Sequence, residues 1–214
     1  MGAGMAVMRL SRSLQAGLLA LSMVAACGNS NAGLVAGLMG GSAVDLNSVP
    51  RAKIEAFGTP ILRATVPARG VDVLLSMRET RGDVTTWEAA EGITFTFRNG
   101  VLIESRGLGP DLMSASGPGS GQIAAGSSAR RSYFYLWDDD LTQRRDYACT
   151  AESRGAESVT IYGHVHQTRH VAEVCQRDLG RITNDFWFEG GQIRQSRQWI
   201  SPDAGYALFS RVVD

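Results

Sequence analysis

The chain has 214 residues, with 21 basic and 21 acidic side chains and 44% apolar residues. That apolar fraction supports one packed domain and excludes a mostly disordered chain. Zero net charge argues against a nucleic-acid binder that works by neutralising phosphates, and Lys53, the only lysine, excludes chemistry that needs two.

Arg9 and Arg12 precede an apolar run, A-G-L-L-A-L-S-M-V-A-A, that stops at Cys27. A basic start, a short apolar stretch and small residues before a cleavage point make a secretory signal. The run is shorter than the roughly 20 residues that a spanning helix needs. Val24-Ala25-Ala26-Cys27 is similar to a bacterial lipobox, in which the cysteine thiol is acylated and becomes the new N-terminus. Residues 1–26 therefore read as a lipoprotein signal peptide, and 27–44 as the lipidated N-terminus and a tether. Gly28 is not the aspartate that often retains lipoproteins in the inner membrane. By resemblance to other lipoproteins, the chain is expected on the outer membrane, anchored by lipid and facing the periplasm. In that oxidising compartment Cys149 and Cys175 are expected to form a disulfide. A zinc site built on them would lack a second cysteine pair.

Residues 28–44 are rich in small residues, with room for a short helix at Leu34–Met39. A weak helix is expected near Val49–Phe57, with Ser48 as cap and Pro50 in the first turn. From Pro60 the pattern is β. Val71, Val73, Leu75 and Met77 alternate with other residues, as do Ile93, Phe95 and Phe97. Period two with β-branched and aromatic residues marks half-buried strands. Asn99-Gly100 predicts a type I′ hairpin, and Gly190-Gly191 a second one. Asp138–Asp140 mark a third turn after Y-F-Y-L-W. Further strands are expected at 145–152, 157–163, 168–175 and 205–213. Residues 114–129 read as one long loop. Residues 45–214 are thus expected to form a single all-β domain. Its antiparallel sheets would form a sandwich or open barrel, with one or two short N-terminal helices.

The scarce chemistry is ambiguous. His164, His166 and His170 share parity, so a strand places them on one face. His-x-His is a metal spacing, with Glu173 and Asp178 as possible further ligands. The simpler reading is a solvated strand face, and no metal is assigned. Asp138–Asp140 lack the glycine and glutamate of a calcium loop. G-P-G-S-G after Ser116 lacks the Lys-Ser/Thr of a phosphate loop, and no helix is expected to start there. Glu88, Glu91, Glu104 and Asp111 offer carboxylates without a catalytic spacing. Trp87, Trp137, Trp187 and Trp199 fit either sugar stacking or, in the favoured reading, core anchoring. No motif calls for a cofactor, and none assigns a catalytic residue.

Several segments carry a specific likeness. T-T-W at Thr85–Trp87 is followed by Glu91-Gly92, then by R-N-G-V-L-I-E-S-R-G-L-G-P-D-L from Arg98 to Leu112. Y-F-Y-L-W-D-D-D precedes Cys149, V-A-E-V-C ends at Cys175, and S-R-Q-W-I-S-P spans Ser196 to Pro202. With the lipobox, these resemble the YjbF/GfcB family, the group 4 capsule polysaccharide lipoproteins, from about residue 45 onward. Ser105 stands where threonine is frequent in that family. The resemblance implies a mainly antiparallel β fold and a role in capsule or exopolysaccharide production, with no catalytic residue to carry over. It draws attention to Trp87, Arg106, Gly107, Gly109, Asp111, Arg197, Gln198 and Trp199. Gly107 and Gly109 are expected at backbone angles closed to other residues. Arg106 and Asp111 are expected to pair across their turn. Arg197 and Gln198, beside Trp199, fit a fixed polar network better than a glycan contact.

The leading expectation is a non-enzymatic accessory of capsule or exopolysaccharide assembly or export. Its partners would be the membrane, through the lipid, and either export proteins or the polysaccharide itself. Rival readings are a polysaccharide-modifying enzyme, a carbohydrate-binding protein and a histidine-based metal or envelope sensor.

Overall fold

The computed structural model describes residues 1–2, 45–136 and 141–214. The signal peptide, Cys27, the helix expected at Leu34–Met39, Trp137 and the Asp138–Asp140 turn lie outside these residues.

Twelve strands form one antiparallel sheet: β1 (Ile61–Val66), β2 (Val71–Arg81), β3 (Val84–Glu88), β4 (Thr94–Arg98), β5 (Val101–Arg106), β6 (Ser114–Ser116), β7 (Ser128–Leu136), β8 (Thr142–Ile161), β9 (His164–Arg177), β10 (Gly180–Glu189), β11 (Gln192–Ser201) and β12 (Gly205–Val213). Their order is β5-β4-β3-β2-β1-β12-β11-β10-β9-β8-β7-β6. Every strand but one pairs with its sequence successor, and β1 closes on β12 through Ile61↔Val213 to Thr65↔Leu208. The result is an up-and-down barrel, and the expected open-barrel form is the one realised. Its seam lies between β5 and β6, the consecutive strands that do not pair.

The alternation seen in the sequence sets the inner face. Leu62, Ala64, Val73, Leu75, Trp87, Phe95, Phe97, Tyr133, Tyr147, Cys149, Cys175 and Phe209 belong to one buried cluster. Phe209 meets Phe95 and Phe97 edge to face, each at a centroid distance of 4.9 Å. The hairpin turns are as expected. Asn99 and Gly100 have φ of 48° and 81°, and Gly190 and Gly191 have 56° and 83°. Positive φ at both central residues defines the type I′ turn. Cys149 and Cys175 stand opposite each other on β8 and β9 and form the disulfide.

Three elements differ from expectation. The strands foreseen at 145–152 and 157–163 are one strand of 20 residues, β8. Gly155 with φ 98° absorbs a bulge within it rather than ending it. The inserted residue exchanges faces. Cys149 points inward, whereas Val159 and Ile161 join an outer cluster with Ile61, Leu74 and Val212. The turn that follows is Tyr162-Gly163, with φ of 48° and 77°. The far part of the β8–β9 hairpin thus packs on the outside of the wall.

The second difference is near the N-terminus. A helix, α1 (Arg51–Glu55), forms inside the expected 49–57 span, but Pro50 is its N-cap. Ser48 instead ends a separate 3-10 turn, Leu46–Ser48. Leu46 and Ile54 are buried in the outer cluster, and Arg51 Nη1 donates to Ile161 O at 3.3 Å. The third is the supposed long loop, which holds β6 and a helix, α2 (Ser120–Ala124). Ile123 of α2 is fully buried with Val101, Val171, Phe186 and Phe188 and plugs part of one barrel end.

Candidate functional site

Two of the segments that carried the family likeness, Arg98–Leu112 and Ser196–Pro202, meet in space at the seam. Gly107 and Gly109 have φ of 89° and 88°, as expected. A Cβ on Gly107 would stand 3.0 Å from Gly92 O, so this turn lies tight against the β3–β4 connection. The expected Arg106–Asp111 pair is not formed. Asp111 folds back into its own turn and accepts from Ser105 Oγ (2.8 Å), Gly107 N (3.0 Å) and Leu108 N (3.3 Å). A carboxylate only accepts, and three local donors satisfy it. Arg106 pairs with Glu104 at 2.8 Å and donates to the carbonyls of Ser105, Leu112 and Met113. It therefore straddles the approach from β5 to β6.

Gln198 holds the same seam from inside. Its Oε1 accepts from Leu102 N at 2.8 Å, and its Nε2 donates to Gly100 O at 3.0 Å. A side-chain amide offers the same donor and acceptor as a peptide unit. Gln198, reaching from β11, thus serves the edge of β5 where a neighbouring strand would otherwise stand. Ser201 Oγ donates to Pro110 O at 2.6 Å. Trp199 Nε1 donates to Tyr135 OH at 3.0 Å, and Trp199 N donates to Asn184 Oδ1 at 2.8 Å. Arg197 lies over the Tyr206 ring at 3.5 Å. Of these residues Gln198 and Trp199 form the fixed polar network, while Arg197 stays partly exposed.

A buried ion pair was missing from the sequence reading. Arg131 and Glu173 are 2% and 1% exposed and meet at 2.9 Å. Asn184 Nδ2 donates to Glu173 Oε2 at 2.8 Å and reaches Tyr133 OH at 3.2 Å. Burial pushes the Tyr133 phenol up to about 12. A signal did exist, since Arg131 continues the inward series Tyr133, Tyr135 by parity. Glu173, a possible metal ligand by sequence, is occupied by this pairing. Among the described residues it also forms a possible ligand group with Cys149 and Cys175. Both sulfurs of that group are committed to the disulfide.

Two of the three histidines, His166 and His170, are not on a solvated face. His166 is 5% exposed, with Nδ1 at 2.9 Å from Glu189 Oε2. His170 stacks on Trp187 at 4.6 Å and sits between Glu157 (3.0 Å) and Asp185 (2.9 Å). His164 is exposed and touches the His166 ring at 4.5 Å. Each buried ring has its own carboxylate and helps seat the long hairpin on the barrel. Asp178 lies in the exposed β9–β10 turn.

The recess that remains is at the barrel mouth. There the β2–β3, β4–β5 and β10–β11 turns gather with the start of α2. Gly100 touches Ile193 across this mouth, since a Cβ on Gly100 would lie 2.9 Å from Ile193 Cδ1. On one side of that contact α2 fills the space. On the other is an inner recess of about 90 Å³, lined by Leu62, Thr85, Trp87, Phe97, Ile193, Arg194, Ser196, Phe209 and Arg211. It adjoins an outer recess of about 300 Å³. The outer part is polar, with Asp83, Asn99, Ser120, Gln192 and Arg211 on its walls. The two share Thr85, Gly100, Ile193 and Arg211. Trp87 is thus a core anchor that also walls the inner recess.

The charges around the mouth are mutually paired. Arg194 donates to Glu189 at 2.9 Å and to Asp214 at 2.6 Å, and Arg211 Nε lies 3.2 Å from Asp214. The hydrogen bond from His166, assisted by Arg194, holds the Glu189 carboxyl below the ordinary range. Burial alone would raise Asp214, but Arg194 and Arg211 outweigh it and lower it. Asp83 lies 3.4 Å from Arg98. Glu88 lies 3.4 Å from Arg78, on the other side of the same strand end from the recess lining.

A family profile described as group 4 capsule polysaccharide lipoprotein gfcB, YjbF matches residues 35–211. The chain belongs to the YjbF family. That span includes β1 to β11 and β12 as far as residue 211, so the seam motifs of this YjbF domain and the residues lining its mouth lie within one family unit. Among solved structures, the crystal structure of the hypothetical lipoprotein YmcC from Escherichia coli (K12) matches with a TM-score of 0.67 and 19% identity. The match covers 78% of this chain and 90% of that one and reports a shared fold. Comparison with curated proteins returned no match.

Proposed function

We propose that this YjbF-family chain is a non-enzymatic accessory of capsule or exopolysaccharide assembly or export. In this reading Cys27 carries the lipid that holds it to the outer membrane, facing the periplasm. The observation that carries the reading is the family match across residues 35–211. Asp83, Glu189 and Asp214, near the mouth, each lie within ion-pair distance of an arginine. An anchor also supplies a high local concentration at the membrane, so modest affinity for a partner or glycan suffices.

The test is cell-bound and released polysaccharide in a deletion strain, complemented with wild type or with Cys27→Ser at matched protein level. Polysaccharide should fall on deletion and return only with the form that can be lipidated. Unchanged polysaccharide in a strain that normally expresses the protein would sink the reading.

A further inference from the structure

We propose that the barrel mouth binds an acylated sugar, with the acyl group in the inner recess and the pyranose in the outer one. The choice of a sugar as occupant rests on the polysaccharide role proposed above; the division of the site rests on its geometry.

The two recesses ask for different chemistry. Small-molecule pockets typically enclose about 300–1,000 Å³. The outer recess, at about 300 Å³, reaches that range, while the inner one, at about 90 Å³, holds only a substituent. Leu62, Trp87, Phe97 and Phe209 wall the inner recess, and all are at most 8% exposed. No aromatic face is open enough to serve as a platform for a whole sugar ring. A methyl group can still enter between them.

The inner recess also has a donor for a carbonyl. Ser196 Oγ accepts from Gln198 Nε2 at 2.9 Å, which leaves the hydroxyl proton to be given to another acceptor. An amide or ester carbonyl is an acceptor of the kind this hydroxyl requires. Asp83, Asn99, Ser120 and Gln192 in the outer recess match the mixed donors and acceptors of sugar hydroxyls.

The experiment uses the full chain in phospholipid nanodiscs and ligand-observed saturation-transfer NMR. The probes are methyl glycosides of N-acetylglucosamine, N-acetylgalactosamine and N-acetylmannosamine, each against its free-amine counterpart, with octanoate as a sugar-free amphiphile. At least one acetylated glycoside should bind, with the strongest transfer at its methyl group. Its amine counterpart should bind at least about ten-fold more weakly. Ile193→Trp, which fills the recess, should abolish binding. Ser196→Ala should weaken it about three- to ten-fold. Thermal melting of both variants verifies that they are folded.

Equal binding of acetylated and free-amine sugars, binding of none, or binding untouched by Ile193→Trp in a folded protein would overturn the proposal. Octanoate binding more tightly than every sugar would overturn it in favour of a lipid pocket. The two proposals fail separately. A deletion strain with unchanged polysaccharide ends the accessory role even if the mouth binds acetyl sugars. A deletion phenotype without acetyl-sugar binding keeps the role and ends the site.

Discussion

The two halves of the barrel interior are held by different forces. Around β1–β4 and β12 the core is hydrocarbon and aromatic, with Leu75, Phe95, Phe97 and Phe209 nearly inaccessible. Around β7–β11 it is crossed by Arg131, Glu173, Asn184 and Gln198, all buried. Burial of apolar area stabilises the first half without directional demands. The second half tolerates its polar groups only because each finds partners. The difference lies in what each half asks of its residues: shape in one, complete pairing in the other.

The largest effects should come from single truncations in either half. Phe209→Ala should destabilise by about 3–5 kcal/mol, read from urea denaturation midpoints. Glu173→Ala should cost a similar 3–5 kcal/mol, because it leaves the Arg131 guanidinium buried without a countercharge. A second change separates them. Replacing both members of the ion pair, as Arg131→Met with Glu173→Leu, should recover most of the loss. If the double variant is no more stable than Glu173→Ala, the pairing account of that half is wrong.

Next comes the disulfide. The two cysteines are 26 positions apart. Cys149→Ala with Cys175→Ala should cost roughly 3–4 kcal/mol in the chain-entropy account. Gln198→Leu should cost about 1–3 kcal/mol, since it strands the buried Leu102 N–H. A neutral result would mean that the β5 edge finds another partner. The smallest effect is electrostatic and lies on the barrel's outer and mouth surfaces. Asp72, held low by its hydrogen bond to Arg63, joins Glu189 and Asp214 as a carboxyl whose folded-state pKa is depressed. Such groups contribute stability that is complete above the ordinary carboxylate range. That contribution is lost as pH falls through their lowered values. Melting temperature should therefore drop on acidification below about pH 4 and should be flat near neutrality on their account.

Legibility in the sequence followed range. Asn99-Gly100 and Gly190-Gly191 announced their turns because positive φ favours those residue types locally. Tyr162-Gly163 carries no such signal, because tyrosine seldom occupies positive φ. The strands expected at 145–152 and 157–163 leave a gap that holds Gly155, whereas pairing with β9 carries one strand through it. The Gly/Ser-rich stretch hid α2, whose burial rests largely on Ile123. At the seam, Gly107 and Gly109 could be read from their type. Asp111 could not, because Ser105 and two amides compete for it with Arg106. Glu173 and Arg131 lie 42 positions apart, and only the closed sheet brings them together. Gln198 likewise reaches Leu102 across 96 positions.

The pairing of β1 with β12 has a consequence for the time at which the barrel can exist. The first strand made lacks one neighbour until the last, Gly205–Val213, has been synthesised. Until then one edge of β1 offers unpaired backbone groups to any passing strand. Pairing between the first and last strands of the barrel also makes closure a slow event. A chain stopped anywhere before residue 205 would not be a shorter barrel but an open sheet, sticky along its earliest strand.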